Sequence, residues 1–195
     1  MENYIKIPKY GKEPQIRFKR GLECLDVYGK TGCHWRMLPH DFPRLEVIYY
    51  YLRKWINEEL NDLILEKLRT ITRIKKGQKA RASLGIMDSQ SVRWGNNRSF
   101  KSYDGNKKVK GIKRHVIVDK NGFLLAIMVT VAHIHDSKAV LLLMRVLPVH
   151  KRWIVERTFA WFENDRRLCR NYELLMETSE EMVKLSAIKL LLNKI

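Results

Sequence analysis

Hydrophobic and polar positions change their period once along the chain, close to residue 80. In residues 44–71 apolar side chains recur at roughly helical spacing, with charged residues between them. This pattern predicts one or two amphipathic helices with a charged outer face, and a short helix over residues 16–28 is predicted before them. The basic loop "KKGQKARAS" (residues 75–83) is then the expected boundary of an all-helical N-terminal region, residues 1–80.

After this loop the pattern changes to short apolar runs that are typical of β-strands. "LGIMDS" (residues 84–89) predicts a central strand whose apolar run stops at an acidic residue, Asp88. Two further apolar runs meet at Asn121-Gly122, a dipeptide that readily supplies the positive φ values of a tight turn, so they predict a β-hairpin. Helices followed by strand, hairpin and more helices indicate a mixed α and β protein.

Three more helices are predicted after the hairpin. The apolar run that follows Asp136 and Ser137 predicts a helix with one of these two residues near its N-cap. Residues 151–170 are also predicted to be helical. Thr178 and Glu181 have the spacing of a capping box at the start of the last helix.

Charge indicates the kind of partner. The 195 residues include 38 Lys and Arg against 21 Asp and Glu, a net charge of +17. Each phosphate neutralised by such side chains releases condensed counterions, so the imbalance favours nucleic acid as the partner, with an anionic membrane surface as the alternative. The longest apolar run, "FLLAIMVTVA", has the length of a strand rather than the roughly 18 residues of a membrane span.

Other features of the composition predict where the protein works. The first residues, "MENYIKIPKYGKEP", are polar and charged, unlike a secretory signal. Three cysteines without CxxC spacing indicate incidental, reduced thiols. We therefore expect a cytoplasmic protein, with no membrane partner.

Two carboxylates are the candidate catalytic pair. Asp88 stands where a strand's apolar run stops, and Glu156 lies among arginines in a predicted helix. A strand carboxylate and a helix carboxylate can share a divalent cation, and hard oxygen ligands suit Mg²⁺. Alternatively, Asp88 caps a turn with Ser89, and Glu156 forms an i,i+4 ion pair with Arg152. Two carboxylates are few for a two-metal phosphoryl-transfer site, so a third is expected.

Four blocks of the sequence resemble the bacterial insertion-sequence transposases of the DDE class. The blocks are "TGCHWRMLPHDFP" followed by "VIYYYLRKW", "GIMDSQSVRW", "KVKGIKRHVIVDKNGFLLAIMVTVAHIHDS" and "KRWIVERTFAWFENDRRLCRNYELL". They occur in the family's order over roughly residues 30–195. The resemblance implies a ribonuclease-H-like α/β or α+β catalytic domain over residues 81–195, with a mixed sheet and flanking helices. For residues 1–80 it implies binding to DNA ends.

The resemblance also implies an activity and its residues. Such enzymes bind double-stranded DNA at terminal inverted repeats, and they cut and join it with Mg²⁺ or Mn²⁺, often as homodimers on paired ends. Asp88 occupies the family's first catalytic Asp position and Glu156 its catalytic Glu position, so both are predicted metal ligands. Arg152 lies where relatives carry an arginine that faces DNA. A bacterial, nucleoid-associated location is implied while the protein is on DNA.

One part of the family pattern is missing. In relatives the second catalytic Asp follows the helix that begins near Asp136, and several dozen residues separate it from the Glu block. Here the segment that normally lies between about 147 and 151 is absent, and nothing acidic lies between Asp136 and Glu156. Asp119 and Asp136 are the candidate replacements, but Asp119 is expected at the far end of the sheet, and Asp136 is better explained as a helix cap. We therefore expect an impaired transposase, with a non-catalytic DNA-binding remnant as the alternative.

Basic stretches provide the candidate phosphate contacts, with a solvated charged surface as the alternative. The predicted DNA-binding residues are Lys113, Arg114, Arg152, Arg157, Arg166 and Arg167. Trp153 and Trp161 could stack on an unpaired base, but aromatic residues at helical positions more often pack in a core. His133 and His135 have no third His or Cys nearby in the sequence, which favours a structural role over metal binding.

Overall fold

The computed structural model describes residues 18–95, 102–136, 138–139 and 153–194. Before residue 76, three α-helices form where apolar residues recur at helical spacing. They are α1 (Phe18–Thr31), α2 (Leu45–Asn57) and α3 (Leu60–Lys75), and a short 3-10 helix at Trp35–Met37 follows α1. The periodicity of residues 44–71 thus predicted α2 and α3, and the short predicted helix corresponds to α1. None of the helices in the described ranges has the length and apolar character needed to cross a bilayer.

An antiparallel sheet follows α3 in the described residues, and β3 is its central strand. Its strands are β1 (Ile86–Arg93), β2 (Ser102–Asp104), β3 (Val109–Val118) and β4 (Leu124–Val131). β3 pairs with β1 along one edge and with β2 and β4 along the other. The prediction that the first strand is central is therefore wrong for the described sheet. β3 takes that place because its ten residues are long enough to pair with three strands.

The predicted hairpin is confirmed, and residues 119–123 join β3 to β4. The backbone N–H of Asp119 donates to the carbonyl of Phe123 at 3.0 Å and closes the turn. The Asp119 carboxylate also accepts the N–H groups of Asn121 and Phe123 at 2.8 and 3.0 Å. Gly122 has φ +80°, a left-handed conformation that glycine adopts at little cost. The Asn-Gly dipeptide therefore marked the turn, and Asp119 holds its backbone.

The described C-terminal part is helical. Its helices are α4 (Trp153–Phe162), α5 (Arg166–Cys169) and α6 (Met176–Leu192). The predicted capping box is wrong, because α6 begins before Thr178 and both Thr178 and Glu181 lie inside it. The Glu181 carboxylate accepts hydrogen bonds from Asn61 of α3 at 2.7 Å and from Lys184 at 2.8 Å. The contact with α3 therefore explains Glu181. The helix predicted after Asp136 lies mostly outside the described residues.

The two faces of the sheet differ in character because successive residues of a strand point to opposite sides. The helix-covered face includes Ile86, Asp88, Gln90 and Val92 of β1, with Ile112, Arg114, Val116 and Val118 of β3. The opposite face includes Ser89 and Ser91 of β1, Lys113 and His115 of β3, and Thr130 of β4. Residues after β4 turn back over this opposite face, since the carbonyl of Ile134 accepts a hydrogen bond from Lys113 at 3.1 Å.

One hydrophobic cluster joins the N-terminal helices to the sheet. It includes Tyr28 of α1, Leu68 of α3, Ile86 of β1, Val116 of β3, Phe159 of α4 and Val183 of α6, all of them buried. Complete burial of such a side chain contributes about 1.5–3 kcal/mol. The helices before residue 76 and the sheet therefore pack as one unit in the described residues. The DNA-end role of residues 1–80 stays a prediction.

Candidate active site and surrounding charges

Asp88 lies on the helix-covered face of the sheet, in the first half of β1. It pairs with Val116 of β3 and shares its face with Ile86 and Gln90, two positions before and after it. The side chain is half-buried, and its Oδ1 accepts the N–H of Ser89 at 2.8 Å. One oxygen of Asp88 thus contacts Ser89, as the alternative of a local cap expects. Asp88 lies within a strand, however, and not in a turn.

Helix α4 packs across this same face and runs alongside β1. Phe159 lies in the central cluster with Ile86. Near the middle of the helix, the Thr158 hydroxyl donates to the carbonyl of Gly122 at 3.0 Å, at the hairpin turn. Just after its end, Glu163 accepts a hydrogen bond from the Gln90 amide at 3.1 Å. The helix thus passes from the hairpin turn towards Gln90, over the part of β1 that carries Asp88.

Glu156 belongs to α4, and its side chain lies outside what the structure describes. Position 156 precedes Glu163 by seven residues, two helical turns or about 10 Å along the axis. Asp88 precedes Gln90 by two strand residues, about 7 Å. Because Glu163 and Gln90 are in contact, positions 88 and 156 lie on facing elements and towards the same end of the sheet. Their roles as metal ligands stay predictions.

The two candidate replacement ligands are engaged elsewhere. Asp119 is fully buried and forms an ion pair with Arg73, while its carboxylate also holds the hairpin turn. Asp136 contacts Lys113 at 3.1 Å, and Lys113 projects from the opposite face of the sheet. The sheet therefore separates Asp136 from Asp88. The expected position of Asp119 at the far end of the sheet is wrong, because the adjacent Val118 pairs with Ile86, two residues before Asp88.

Within the described residues, no three side chains of His, Cys, Asp or Glu lie close enough together to hold a metal ion. Glu163 is a carboxylate near β1 that the sequence analysis did not single out. It contacts Gln90 on the face that carries Asp88. Its spacing of seven residues from Glu156, which places both on one side of a helix, is the signal that could have identified it.

Three of the predicted phosphate contacts are corrected by burial. Arg114 is 1% exposed, donates to the carbonyl of Leu168 at 2.8 Å, and has its pKa lowered to about 10 by desolvation. Arg167 is also buried and pairs with Glu173 at 2.8 Å. Lys113 is buried on the opposite face. Side chains that are enclosed in this way cannot reach a DNA backbone, so their positive charges stabilise the fold instead.

Lys113 is part of a buried polar network. Its ammonium lies 3.4 Å from Asp104 and 3.1 Å from Asp136. Burial acts to raise the pKa of Asp104, but hydrogen bonds from Ser91 and from two backbone N–H groups outweigh it and lower the pKa to about 2. The neighbouring His115 is fully buried, and desolvation lowers its pKa to about 4. His115 is therefore neutral at pH 7.

The remaining residues that were predicted to contact DNA lie either on the surface or outside the described residues. Arg166 is exposed on α5, and Arg152 lies outside the described residues. Arg157 is exposed, donates to the carbonyl of Asn121 at 3.0 Å, and lies 5.0 Å from the centre of the Trp161 ring. Trp161 is half-buried, so it is not a simple core residue.

His133 and His135, for which the sequence favours a structural role, both follow β4. His133 lies 2.6 Å from the Ser102 hydroxyl through its Nδ1, and its backbone N–H donates to the same oxygen at 3.0 Å. Its contacts thus join the turn after β4 to β2. They fit the structural role that the sequence favours for His133.

Comparison with known proteins gives one partial match. Residues 79–151 match the family model described as Transposase DDE domain. This range includes Asp88 and the whole described sheet, but it ends before Glu156. No curated protein and no solved structure matches the chain. The matched residues are thus similar to a transposase DDE domain, and their antiparallel sheet with flanking helices is consistent with such a domain.

Proposed function

We propose that this chain is a transposase of the DDE class, from a bacterial insertion sequence, that binds the terminal inverted repeats of double-stranded DNA. We also propose that its strand cleavage and strand transfer are impaired, within a shortened ribonuclease-H-like domain. The main support is the match of residues 79–151 to the transposase family model. The position of Asp88 supports it further, on a β-strand face crossed by the helix that carries Glu156.

The residues around Asp88 suit a divalent cation. Carboxylate and amide oxygens are hard ligands that Mg²⁺ and Mn²⁺ accept. Asp88 supplies a half-buried carboxylate on a rigid strand, and Glu156 would supply the second from α4. Bound there, the metal would activate the attacking oxygen and stabilise the leaving one. The contact between Gln90 and Glu163 fixes the helix against the strand and so sets the distance between the two proposed ligands.

The impairment is proposed because a third carboxylate is missing. Residues 137–155 contain no Asp or Glu. Asp119 is neutralised by buried Arg73, and Asp136 lies across the sheet from Asp88. With two carboxylates, the site would hold its metal weakly and would place less negative charge around the attacking oxygen.

A cleavage assay tests this proposal. Purified protein is incubated with Mg²⁺ or Mn²⁺ and DNA that carries the element's inverted repeats, beside the Asp88→Asn and Glu156→Gln variants. We expect DNA binding without cleavage. Glu58→Gln is the matched control, because it removes a carboxylate from an exposed pair with Lys54, on neither β1 nor α4. Cleavage that Asp88→Asn and Glu156→Gln abolish, and that Glu58→Gln retains, would show that the site is competent and the impairment wrong.

The missing ligand also favours a second function, that of a DNA-binding remnant that interferes with intact transposase. A protein that still binds the inverted repeats but cannot cut them would occupy the ends that the active enzyme needs. An electrophoretic shift that is stronger for inverted repeats than for random DNA supports this role. Equal affinity for both DNAs argues against it.

A further inference from the structure

Cations from three separate helices meet at the tip of the β3–β4 hairpin. Lys194, just after α6, lies 4.2 Å from the centre of the Trp161 ring and 5.0 Å from that of Phe123. Lys76, just after α3, lies 5.2 Å from the Phe123 ring. Arg157 of α4 lies 5.0 Å from the Trp161 ring. We call Lys76, Arg157 and Lys194 the hairpin-tip cations.

Two aromatic rings hold these charges close together. Lys76 and Lys194 share the Phe123 ring, so their ammonium groups are at most about 10 Å apart. Lys194 and Arg157 share the Trp161 ring in the same way, within about 9 Å. Consecutive phosphates on one DNA strand advance by about 3.4 Å along the helix axis. Neighbouring hairpin-tip cations therefore lie within the span of about three successive nucleotides.

Acidic side chains do not neutralise the two lysines. Within the described residues, neither Lys76 nor Lys194 forms an ion pair with an acidic side chain. The nearby Asp119 is fully buried and paired with Arg73. Burial lowers the pKa of Lys194, and the charges of Lys76 and Arg157 lower it further. Like charges thus repel one another here, and an anion bound between them would relieve that repulsion.

The basic loop before β1 extends the same surface. Buried Arg73 donates to the carbonyl of Lys79 at 2.9 Å, and Gln78 exchanges side-chain hydrogen bonds with Asn121 at 2.9 and 3.3 Å. The loop is therefore fastened to the hairpin turn. A cavity of about 210 Å³ lies beside it, with Lys79, Arg81 and Lys120 among its lining residues.

We propose that the hairpin-tip cations and this loop form a binding surface for the phosphate backbone of double-stranded DNA. The proposal rests on the proposed function, in which the chain acts on DNA, and it identifies where the duplex is held. Ile86 pairs with Val118 next to the hairpin, and Asp88 follows two residues later. A duplex on this surface therefore passes the end of the sheet nearest to Asp88 and to the first turn of α4.

The chemistry favours a duplex backbone over an acidic protein segment. Aromatic rings position Lys76 just after α3, Lys194 just after α6 and Arg157 on α4, so these charges lie on the folded surface rather than in a flexible charged tail. Charges held in this way suit the regular series of phosphates on a duplex. The net charge of +17 adds long-range attraction to any nucleic acid.

The test measures affinity for a labelled duplex of random sequence, without metal, between 50 and 200 mM salt. We expect the double variant Lys76→Gln/Lys194→Gln to bind about tenfold or more weakly, and its plot of log affinity against log salt to be shallower by about 1.8. The matched control is Lys30→Gln/Lys54→Gln, which removes the same charge from lysines paired with Asp26 and Glu58. We expect it to change the affinity by less than about threefold and the slope by less than one.

The outcomes separate this inference from the proposed function. Equal losses in the two double variants would show only a net-charge effect and would overturn the proposed surface. Competition by poly-glutamate that matches unlabelled DNA, charge for charge, would also overturn it in favour of an acidic-peptide site. Neither result bears on cleavage, because the duplex lacks inverted repeats and metal. Circular dichroism of each variant shows whether its fold is retained, and Lys76→Arg/Lys194→Arg should restore binding.

Discussion

Arg73 and Asp119 form a buried ion pair that joins the last turn of α3 to the end of β3. Arg73 is 5% exposed and Asp119 is fully buried. The same carboxylate accepts hydrogen bonds from the hairpin turn, and the same guanidinium holds the basic loop. This one pair therefore fastens the N-terminal helices, the loop and the hairpin to each other. Its position also explains why Asp119 is not free to bind a metal.

Removal of the charge on Asp119 should destabilise the protein strongly. In Asp119→Asn, Arg73 would stay buried without its counter-ion, so we expect a loss of about 3 kcal/mol or more in the free energy of unfolding. Urea denaturation measures it. Glu58→Gln breaks an exposed pair with Lys54 and should cost at most about 1 kcal/mol. Similar losses in the two variants would contradict the role given to the buried pair.

Stability should fall on mild acidification because of His115. Its pKa is about 4 in the folded protein and 6.5 when unperturbed. Between these values the unfolded chain binds the extra proton, so the stabilisation is complete above pH 6.5 and is lost as the pH falls towards 4. We expect a slope of up to about 1.4 kcal/mol per pH unit from this residue.

Urea denaturation from pH 7.5 to 4.5 measures that slope. His115→Gln should reduce it by the contribution of one proton. His133→Gln removes an exposed histidine and should leave the slope close to that of the wild type. Lys113 and Asp136 lie beside the imidazole. An unchanged slope in His115→Gln would contradict the contribution assigned to His115.

Gly122 should be far less tolerant of alanine than Gly77. Both have positive φ, +80° and +65°, so each substitution costs about 1 kcal/mol in backbone strain. A Cβ at Gly122 would also lie 2.9 Å from the Thr158 hydroxyl and 3.1 Å from the Trp161 ring, whereas at Gly77 it meets nothing within 4 Å. Overpacking of that kind adds about 1–3 kcal/mol.

Thermal or urea denaturation of the two alanine variants provides the comparison. Gly122→Ala should be less stable than Gly77→Ala, and it should also disturb the Trp161 fluorescence, because the new methyl group displaces that ring. Equal stabilities would show that α4 is not seated on the hairpin turn as the structure has it. The two variants share the same change in side chain, so the difference between them isolates the packing contribution.

The burial of charged side chains could not be predicted from the sequence. Lys113, Arg114 and Arg167 were predicted to contact phosphate because they lie in basic stretches of matching blocks. Burial removed them from that role, and a partner can be distant in sequence, as Leu168 is for Arg114, 54 positions away. Charge along the chain does not reveal whether a side chain faces solvent. The hairpin-tip cations could not be predicted as a group, because three helices bring them together.

Elements whose signals are local could be predicted from the amino-acid sequence. Helical periodicity predicted α2 and α3, and Asn121-Gly122 predicted the hairpin, because spacing and turn chemistry act within a few residues. The absence of a carboxylate from residues 137–155 is likewise readable in the sequence. The folded chain was needed to show that β3 is the central strand of the described sheet and that Asp136 lies across the sheet from Asp88. Those outcomes depend on strand pairing and burial between distant segments, which no local pattern contains.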